Sequence, residues 1–208
     1  MKLKTLSLLF FLAISFVANA QSTEKKDAAI AKKDSLRQAK LKAKGMYPIV
    51  KSGVNCGVLP VPGITERPDS TIRYKLLISL AIGSSEADKV KELNKGLAEA
   101  GRILNLHVAA GIPKSQIDLV IVTHGKALYS LFSNDAFKQE FKMDNPNLAV
   151  IHELEEGGAK FIACGQAMQF LEIKNEQLLP EVKIAIAAKV ALSTYQLKGY
   201  ALYELDSE

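Results

Sequence analysis

The chain has 208 residues, 48% of them hydrophobic, and a formal net charge of +5 at pH 7. The positive charge is concentrated in residues 21–45, which carry eight basic and three acidic side chains, whereas the chain from Met46 onward carries 17 basic and 19 acidic ones. This nearly neutral body lacks the broad basic surface that nucleic-acid binding requires, so composition excludes nucleic acid as the expected partner.

The first twenty residues have the organisation of a secretory signal peptide. Lys2 and Lys4 precede an apolar stretch of 13 residues (5–17), and Ala18-Asn19-Ala20 supplies small residues at the cleavage positions. The stretch is shorter than the roughly 20 residues of a membrane span. The sequence therefore predicts export to the periplasm, with cleavage near Ala20.

Two segments of distinct composition follow the signal peptide. Residues 21–45 favour helix by composition but have a weak apolar stripe, which indicates either a solvated basic linker or a weak contact with an anionic envelope surface. Residues 45–70 collect four prolines and four glycines. We therefore expect residues 46–72 to be irregular and to lie on the surface.

From residue 73 onward, apolar strand-like runs alternate with helical periodicity. Strands are predicted at residues 74–82, 116–123, 159–164, 182–187 and 199–205. Helices are predicted from about Val90 to Leu104 and at residues 126–132, 147–158, 166–173 and 189–198. The alternation predicts one α/β domain over residues 73–208, with helices on both faces of a mostly parallel five-stranded sheet.

Two chemically useful side chains follow strands at the same edge of this sheet. His124 follows the second strand and Cys164 ends the third, and each precedes a glycine (Gly125, Gly165) and then a helix. Parallel sheets bind ligands beyond the carboxyl ends of their strands. A thiol at a helix start is favoured as thiolate, the nucleophile for sulfur transfer or disulfide exchange.

Each residue around this thiol has a predicted role and an alternative. We expect His124 to stabilise the thiolate or to move a proton, Gly125 and Gly165 to line the binding pocket, and Gly165 to leave room there for a small molecule. Gln166 either donates a hydrogen bond in the pocket, caps the helix or faces solvent. The alternative for Cys164 is a buried core spacer, because free cysteine is among the most buried residue types.

Cys56 is the other cysteine of the predicted mature chain. It lies in a glycine-rich segment, and an oxidising compartment tends to pair thiols. We consider either an exposed loop cysteine or a redox partner that forms a bridge with Cys164.

The sequence contains no pattern that predicts a cofactor or a metal. Its three histidines and two cysteines have no recognised ligand spacing, and no glycine-rich phosphate loop of either common type is present. We therefore expect neither a cofactor nor a metal site.

The chain resembles the DsrE/DsrF-like (YchN-like) family of small sulfur-relay-type proteins in five segments: YKLLISL, LNKGLAEAGRILNLHVAAGI, VIVTHGKAL, NLAVIHELEEGGAKFIACGQAM and LSTYQLKGYAL. Within that family it looks most like an exported branch that carries a signal peptide. The resemblance implies a three-layer α/β/α fold, assembly into homotrimers or homohexamers, and a cysteine that carries sulfur as a persulfide. Cys164 is the position that matches this cysteine. The predicted export differs from the location of the characterised relay members of this family, which act in the cytoplasm.

Three functional interpretations follow. The first is an exported sulfur-handling protein, a possible sulfurtransferase-like carrier, in which Cys164 exchanges sulfane sulfur with a small sulfur-containing molecule or a persulfide-donating protein. The second is a non-enzymatic binding module with a small ligand in the same pocket. The third is a thiol-disulfide sensor formed by Cys56 and Cys164. The chemistry requires the sulfur of Cys164 to lie at an open rim, beside backbone donors.

Overall fold

A computed structural model describes residues 29–87 and 89–205 of the chain. The predicted signal peptide (1–20) and residues 21–28 of the basic linker lie outside the described residues. The described part of that linker is helical, and helix α1 covers residues 29–44. None of the helices in the two described ranges has the length and apolar character of a membrane span.

The body contains a five-stranded sheet in which every strand pair is parallel. Its strands, in the spatial order β4-β3-β2-β1-β5, are β1 (Tyr74–Leu80), β2 (Ile117–Thr123), β3 (Lys160–Cys164), β4 (Lys183–Ala185) and β5 (Ala201–Leu205). The interior strands β1 and β2 are apolar along most of their length and buried on both faces, as their continuous apolar runs predict. The edge strand β4 has three residues and is shorter than predicted.

Five helices connect the strands and form the two outer layers: α2 (Lys95–Ala109), α3 (Asn134–Phe141), α4 (Leu148–Glu156), α5 (Gly165–Phe170) and α6 (Ala188–Leu197). The chain steps in one direction from β1 to β4, so right-handed crossovers place α2, α4 and α5 on the same face of the sheet. The return from β4 to β5 runs the opposite way and places α6 on the other face. The predicted three-layer α/β/α fold is confirmed.

Alternate strand residues build two separate cores. On what we call the α2 face, Leu76 and Ile78 pack with the buried residues of α2, α3 and α4. On the α6 face, Leu77 and Val122 pack with Ala188 and other residues of α6. The core of the α6 face is the smaller, because a single described helix covers it.

Two helical segments differ from their predictions. Helix α2 begins at Lys95 and not near Val90, because the Asn94 side chain accepts hydrogen bonds from two N–H groups of the first turn at 2.9 and 3.2 Å. The segment predicted as a helix at 126–132 is a 3-10 helix, Gly125–Leu131.

The proline- and glycine-rich segment is a surface loop only in its second half. Residues 59–73 are exposed, but Val50 and Cys56 are fully buried against the α2 face. Asn105 of α2 holds them in place: its Oδ1 accepts from the Ile49 and Val50 N–H groups at 2.9 and 3.0 Å, and its Nδ2 donates to the Val50 and Cys56 carbonyls at 2.8 and 2.9 Å. A buried amide with all its hydrogen bonds satisfied specifies one position for the segment. This part is irregular as predicted, but the prediction that it lies on the surface is wrong.

Candidate functional site

His124 and Cys164 lie at neighbouring positions of adjacent strands. Thr123 of β2 is paired with Ala163 of β3, so His124 and Cys164 are the next residues along the two strands. Both still have extended backbone. Adjacent strands are about 4.8 Å apart, and successive residues point to opposite faces. Since Val122 faces α6, His124 and Cys164 share the α6 face at the carboxyl edge of the sheet.

The sulfur of Cys164 accepts hydrogen bonds from the starts of two helices. The Ala167 N–H, in the first turn of α5, donates to Sγ at 3.4 Å. The Ala188 N–H, at the first residue of α6, donates to it at 3.2 Å. Two backbone N–H groups from different helices are therefore directed at one sulfur atom.

Cys164 does not lie at an open rim as predicted. Only 6% of the residue is exposed, and it packs in the small core beneath α6 with Ile162 and Ala188. Two cavities of about 460 Å³ each occur in the described structure, one at the carboxyl end of β1 and one between α2 and β5. Neither of these two cavities is lined by Cys164 or His124.

His124 is half-buried and forms its ring hydrogen bond with β1. Its Nε2 lies 3.0 Å from Ser79 Oγ, on the same face of the sheet. Its backbone N–H donates to the Leu80 carbonyl at 3.0 Å and continues the strand pairing. Burial lowers the pKa of His124 below its ordinary value, so the ring is neutral near pH 7 and keeps a lone pair that can accept a proton.

The two glycines differ in what they do. Gly125 has a φ of +56°, a left-handed conformation that suits glycine, and lets the chain turn from β2 into the 3-10 helix. At Gly165, an added Cβ would lie 2.8 Å from the Ala185 carbonyl oxygen. The space that was predicted to admit a small molecule is thus filled by the end of β4.

Gln166 contributes to the same contact through its backbone. Its N–H donates to the Ile186 carbonyl at 3.1 Å, while its side chain is exposed. Together with the close approach at Gly165, this bond holds the connection formed by Ile186 and Ala187, from which the first N–H of α6 reaches the sulfur of Cys164.

Cys56 lies on the opposite face of the sheet from Cys164. It is fully buried in the core of the α2 face, and both cysteines are free. Burial, together with the nearby charge of Glu153, raises the pKa of Cys56 to about 12. The two predictions for Cys56, an exposed loop cysteine and a bridge to Cys164, are both wrong, and with them the thiol-disulfide sensor. The sheet itself separates the two sulfur atoms.

Two contributors to the site were missed by sequence reasoning. Ser79 was detectable, because it is the one polar residue inside the apolar run LLISL, and strand alternation assigns it a face. Ala188 was not detectable, since it acts through its backbone N–H and lies 24 residues from Cys164. Within residues 29–87 and 89–205, no group of three or more His, Cys, Asp or Glu side chains is arranged to hold a metal ion.

The fold and the site define a three-layer α/β protein with a thiol at the carboxyl edge of a parallel sheet. The family model described as DsrE/DsrF-like matches residues 76–203, more than half of the 208-residue chain. The chain therefore belongs to the DsrE/DsrF-like family. Membership of this family points to a role related to sulfur relay.

Two solved structures are similar to this chain: the protein of unknown function MTH1491 from Methanobacterium thermoautotrophicum and the ychN protein from E. coli. Each is 14% identical to it with a TM-score of 0.45, and each match covers 64% of this chain and 99% of the other. A comparison with curated proteins finds no match.

Proposed function

We propose that this protein carries sulfane sulfur as a persulfide on Cys164 and passes it to an acceptor thiol. The observation that carries the proposal is the pair of N–H groups, from Ala167 and Ala188, that donate to Sγ at 3.4 and 3.2 Å. The thiolate is the form that attacks sulfur, and backbone N–H groups can donate to its negative charge once it has formed. Family membership supports sulfur as the atom transferred.

The transfer is an exchange that needs no external oxidant or reductant, because Sγ is oxidised to the persulfide level while the donor's inner sulfur is reduced to a thiolate. The thiolate of Cys164 attacks the terminal sulfur of a donor persulfide, R–S–SH, and a bond forms between Sγ and that sulfur. The donor S–S bond breaks, and its electron pair leaves on the donor as R–S⁻. Attack by an acceptor thiolate on the same terminal sulfur reverses the process and restores the thiolate of Cys164.

His124 is the proposed proton carrier. The thiol must lose a proton before it attacks, and the departing donor thiolate gains one. Burial lowers the pKa of His124, so the imidazole on the adjacent strand is neutral before the reaction, has a lone pair for the thiol proton and readily gives that proton up to the donor thiolate. The hydrogen bond between Nε2 and Ser79 Oγ orients the ring.

A reagent reaches Cys164 by displacing the connection between β4 and α6. The backbone of this connection covers the sulfur. It is held in place by the short edge strand β4 and by the hydrogen bond that the Gln166 N–H donates. Ile186 in this connection is 71% exposed, so little apolar packing opposes its movement.

Intact mass after treatment with glutathione persulfide or sodium polysulfide, followed by removal of excess reagent, tests the proposal. We expect wild type to gain one sulfur atom, about 32 Da, and Cys164→Ser to gain none. The matched control is Cys56→Ala, which should keep the adduct. A wild-type protein without the adduct, or an adduct that persists in Cys164→Ser, would refute the assignment.

We also propose that the mature protein is periplasmic and receives sulfur there from a small sulfur-containing molecule or a persulfide-donating protein. The organisation of residues 1–20 supports export. The basic residues of segment 21–45 would add a weak, salt-sensitive contact with the anionic envelope surface. N-terminal sequencing of the protein from the periplasmic fraction should begin near Gln21, and an intact Lys2 would contradict cleavage.

Assembly into a homotrimer or homohexamer is a further part of the proposal. Large apolar side chains exposed on α5 and α6 support it, notably Phe170 at 85% and Leu197 at 90% exposure. Light scattering should give the mass of three or six chains, and Leu197→Glu should lower it. A monomer at every concentration would contradict this part alone.

A further inference from the structure

A cavity separate from the Cys164 site opens at the carboxyl edge of the sheet on the α2 face. Its volume is about 460 Å³. Ile82 and Gly83, just beyond β1, form one side, and Leu93, just before α2, forms another. This is the size and position of small-molecule sites in parallel α/β proteins.

The walls of this cavity are largely apolar and partly aromatic. Val90 and Leu93 face it from the segment before α2, Tyr129 from the 3-10 helix and Phe137 from α3. Phe137 is almost fully buried, and Tyr129 packs edge-to-face on the rings of Phe132 and Phe141. The aromatic walls are thus held rigidly and suit a flat or branched apolar group.

The rim of the cavity is positively charged. Among its described lining residues are three lysines and one glutamate, Glu92. Lys89 is paired with Glu86 at 3.0 Å. Lys95 and Lys126 have no carboxylate of the described residues within ion-pair distance. The Asn94 side chain already accepts from the Gly96 and Leu97 N–H groups in the first turn of α2, so the positive charge available to a ligand comes from the lysines.

We infer that this cavity binds a small organic carboxylate with an aromatic or branched apolar body, whose charge is met by Lys95 and Lys126. Two lysines that form no ion pair with a described residue suit a single anionic group. The described lining contains no arginine for bidentate phosphate recognition, which argues for a carboxylate over a phosphate ester. Because Cys164 faces the other side of the sheet, this binding is independent of sulfur transfer.

Titration of the full mature protein with 1-naphthoate, followed by ¹⁵N–¹H NMR, tests this inference, with the neutral 1-naphthamide as the matched ligand. We expect naphthoate to shift the amide signals of Gly83, Lys95 and Ser130, and naphthamide to bind at least about fivefold more weakly. The double variant Lys95→Gln/Lys126→Gln should weaken naphthoate binding about tenfold and leave naphthamide binding unchanged.

Two control variants separate this site from the rest of the molecule. Lys189→Gln removes one positive charge from α6, on the other face of the sheet, and should leave naphthoate binding unchanged. Cys164→Ala should also leave it unchanged, so failure of the persulfide assay does not affect this result. The inference is overturned by equal affinity for the two ligands, by shifts centred on α6, by no saturable shifts, or by equal loss of affinity in Lys189→Gln.

Discussion

Gly165→Ala should both destabilise the protein and expose Cys164. A Cβ at this position would lie 2.8 Å from the Ala185 carbonyl oxygen and 3.4 Å from that of Ile186. Both oxygens belong to the backbone just before α6, whose first N–H, that of Ala188, donates to Sγ at 3.2 Å. The extra methyl group therefore pushes away the segment that covers the sulfur.

The size of the effect follows from two opposing terms. A carbonyl oxygen must move by about 0.5 Å to restore an ordinary contact with the new Cβ, and overpacking of this kind costs about 2 kcal/mol. Replacing a glycine in the first turn of a helix returns up to about 1 kcal/mol, because the unfolded chain loses freedom. The net loss is about 1 kcal/mol, which lowers the Tm of a domain of this size by about 3 °C.

Native alkylation with iodoacetamide, read site by site by mass spectrometry, is the assay. We expect Cys164 of Gly165→Ala to react several-fold faster than wild type. The control is Gly199→Ala, where φ is +83° and an added Cβ meets no neighbour, so it loses about 1 kcal/mol by backbone strain alone. If Cys164 reacts equally fast in the two variants, global unfolding explains the labelling, and the β4–α6 connection does not control access.

Three further predictions concern stability and titration. Asn105→Ala should lower the free energy of unfolding by about 3 kcal/mol in urea denaturation, because it leaves buried backbone groups of residues 49–56 without partners; a loss under about 1 kcal/mol would contradict this. Burial lowers the pKa of His124 from 6.5, so the unfolded chain binds more protons, and stability should fall as pH drops below 6.5. His124→Gln should flatten that fall, and an unchanged pH profile would rule out the histidine as its source. Cys56, whose pKa burial raises to about 12, should resist iodoacetamide in the native protein and react only after denaturation, and rapid native labelling would show that it is accessible.

The fold was predictable because its signals are local and repeated. Continuous apolar runs such as LLISL and DLVIV indicate strands buried on both faces, and the helical periodicity between them indicates crossovers. Right-handed connection then brings His124 and Cys164 to one edge of the sheet. The start of α2 was misjudged because apolar spacing at Val90 and Leu93 competes with the cap at Asn94, and the cap decides where the helix begins.

The surroundings of the two cysteines were not predictable, because distant backbone determines them. Cys56 is buried through Asn105, 49 residues away. Cys164 is covered through Ala188, 24 residues away. Both contacts place a sulfur-bearing segment against a helix whose position depends on the whole sheet. Neither contact leaves a pattern in side-chain spacing.

The hydrogen bonding and the burial of Cys164 have one structural cause. The first turn of α6 supplies the Ala188 N–H that donates to Sγ, and the same turn covers the sulfur. Loosening this turn increases the access of reagents to Sγ but removes the Ala188 N–H as a hydrogen-bond donor. Tightening the turn has the opposite effects. A persulfide would be protected in the closed arrangement from thiols in solution, so transfer requires an acceptor that moves the start of α6. This coupling suits a carrier, which must hold sulfur between two exchanges, better than it suits a fast enzyme.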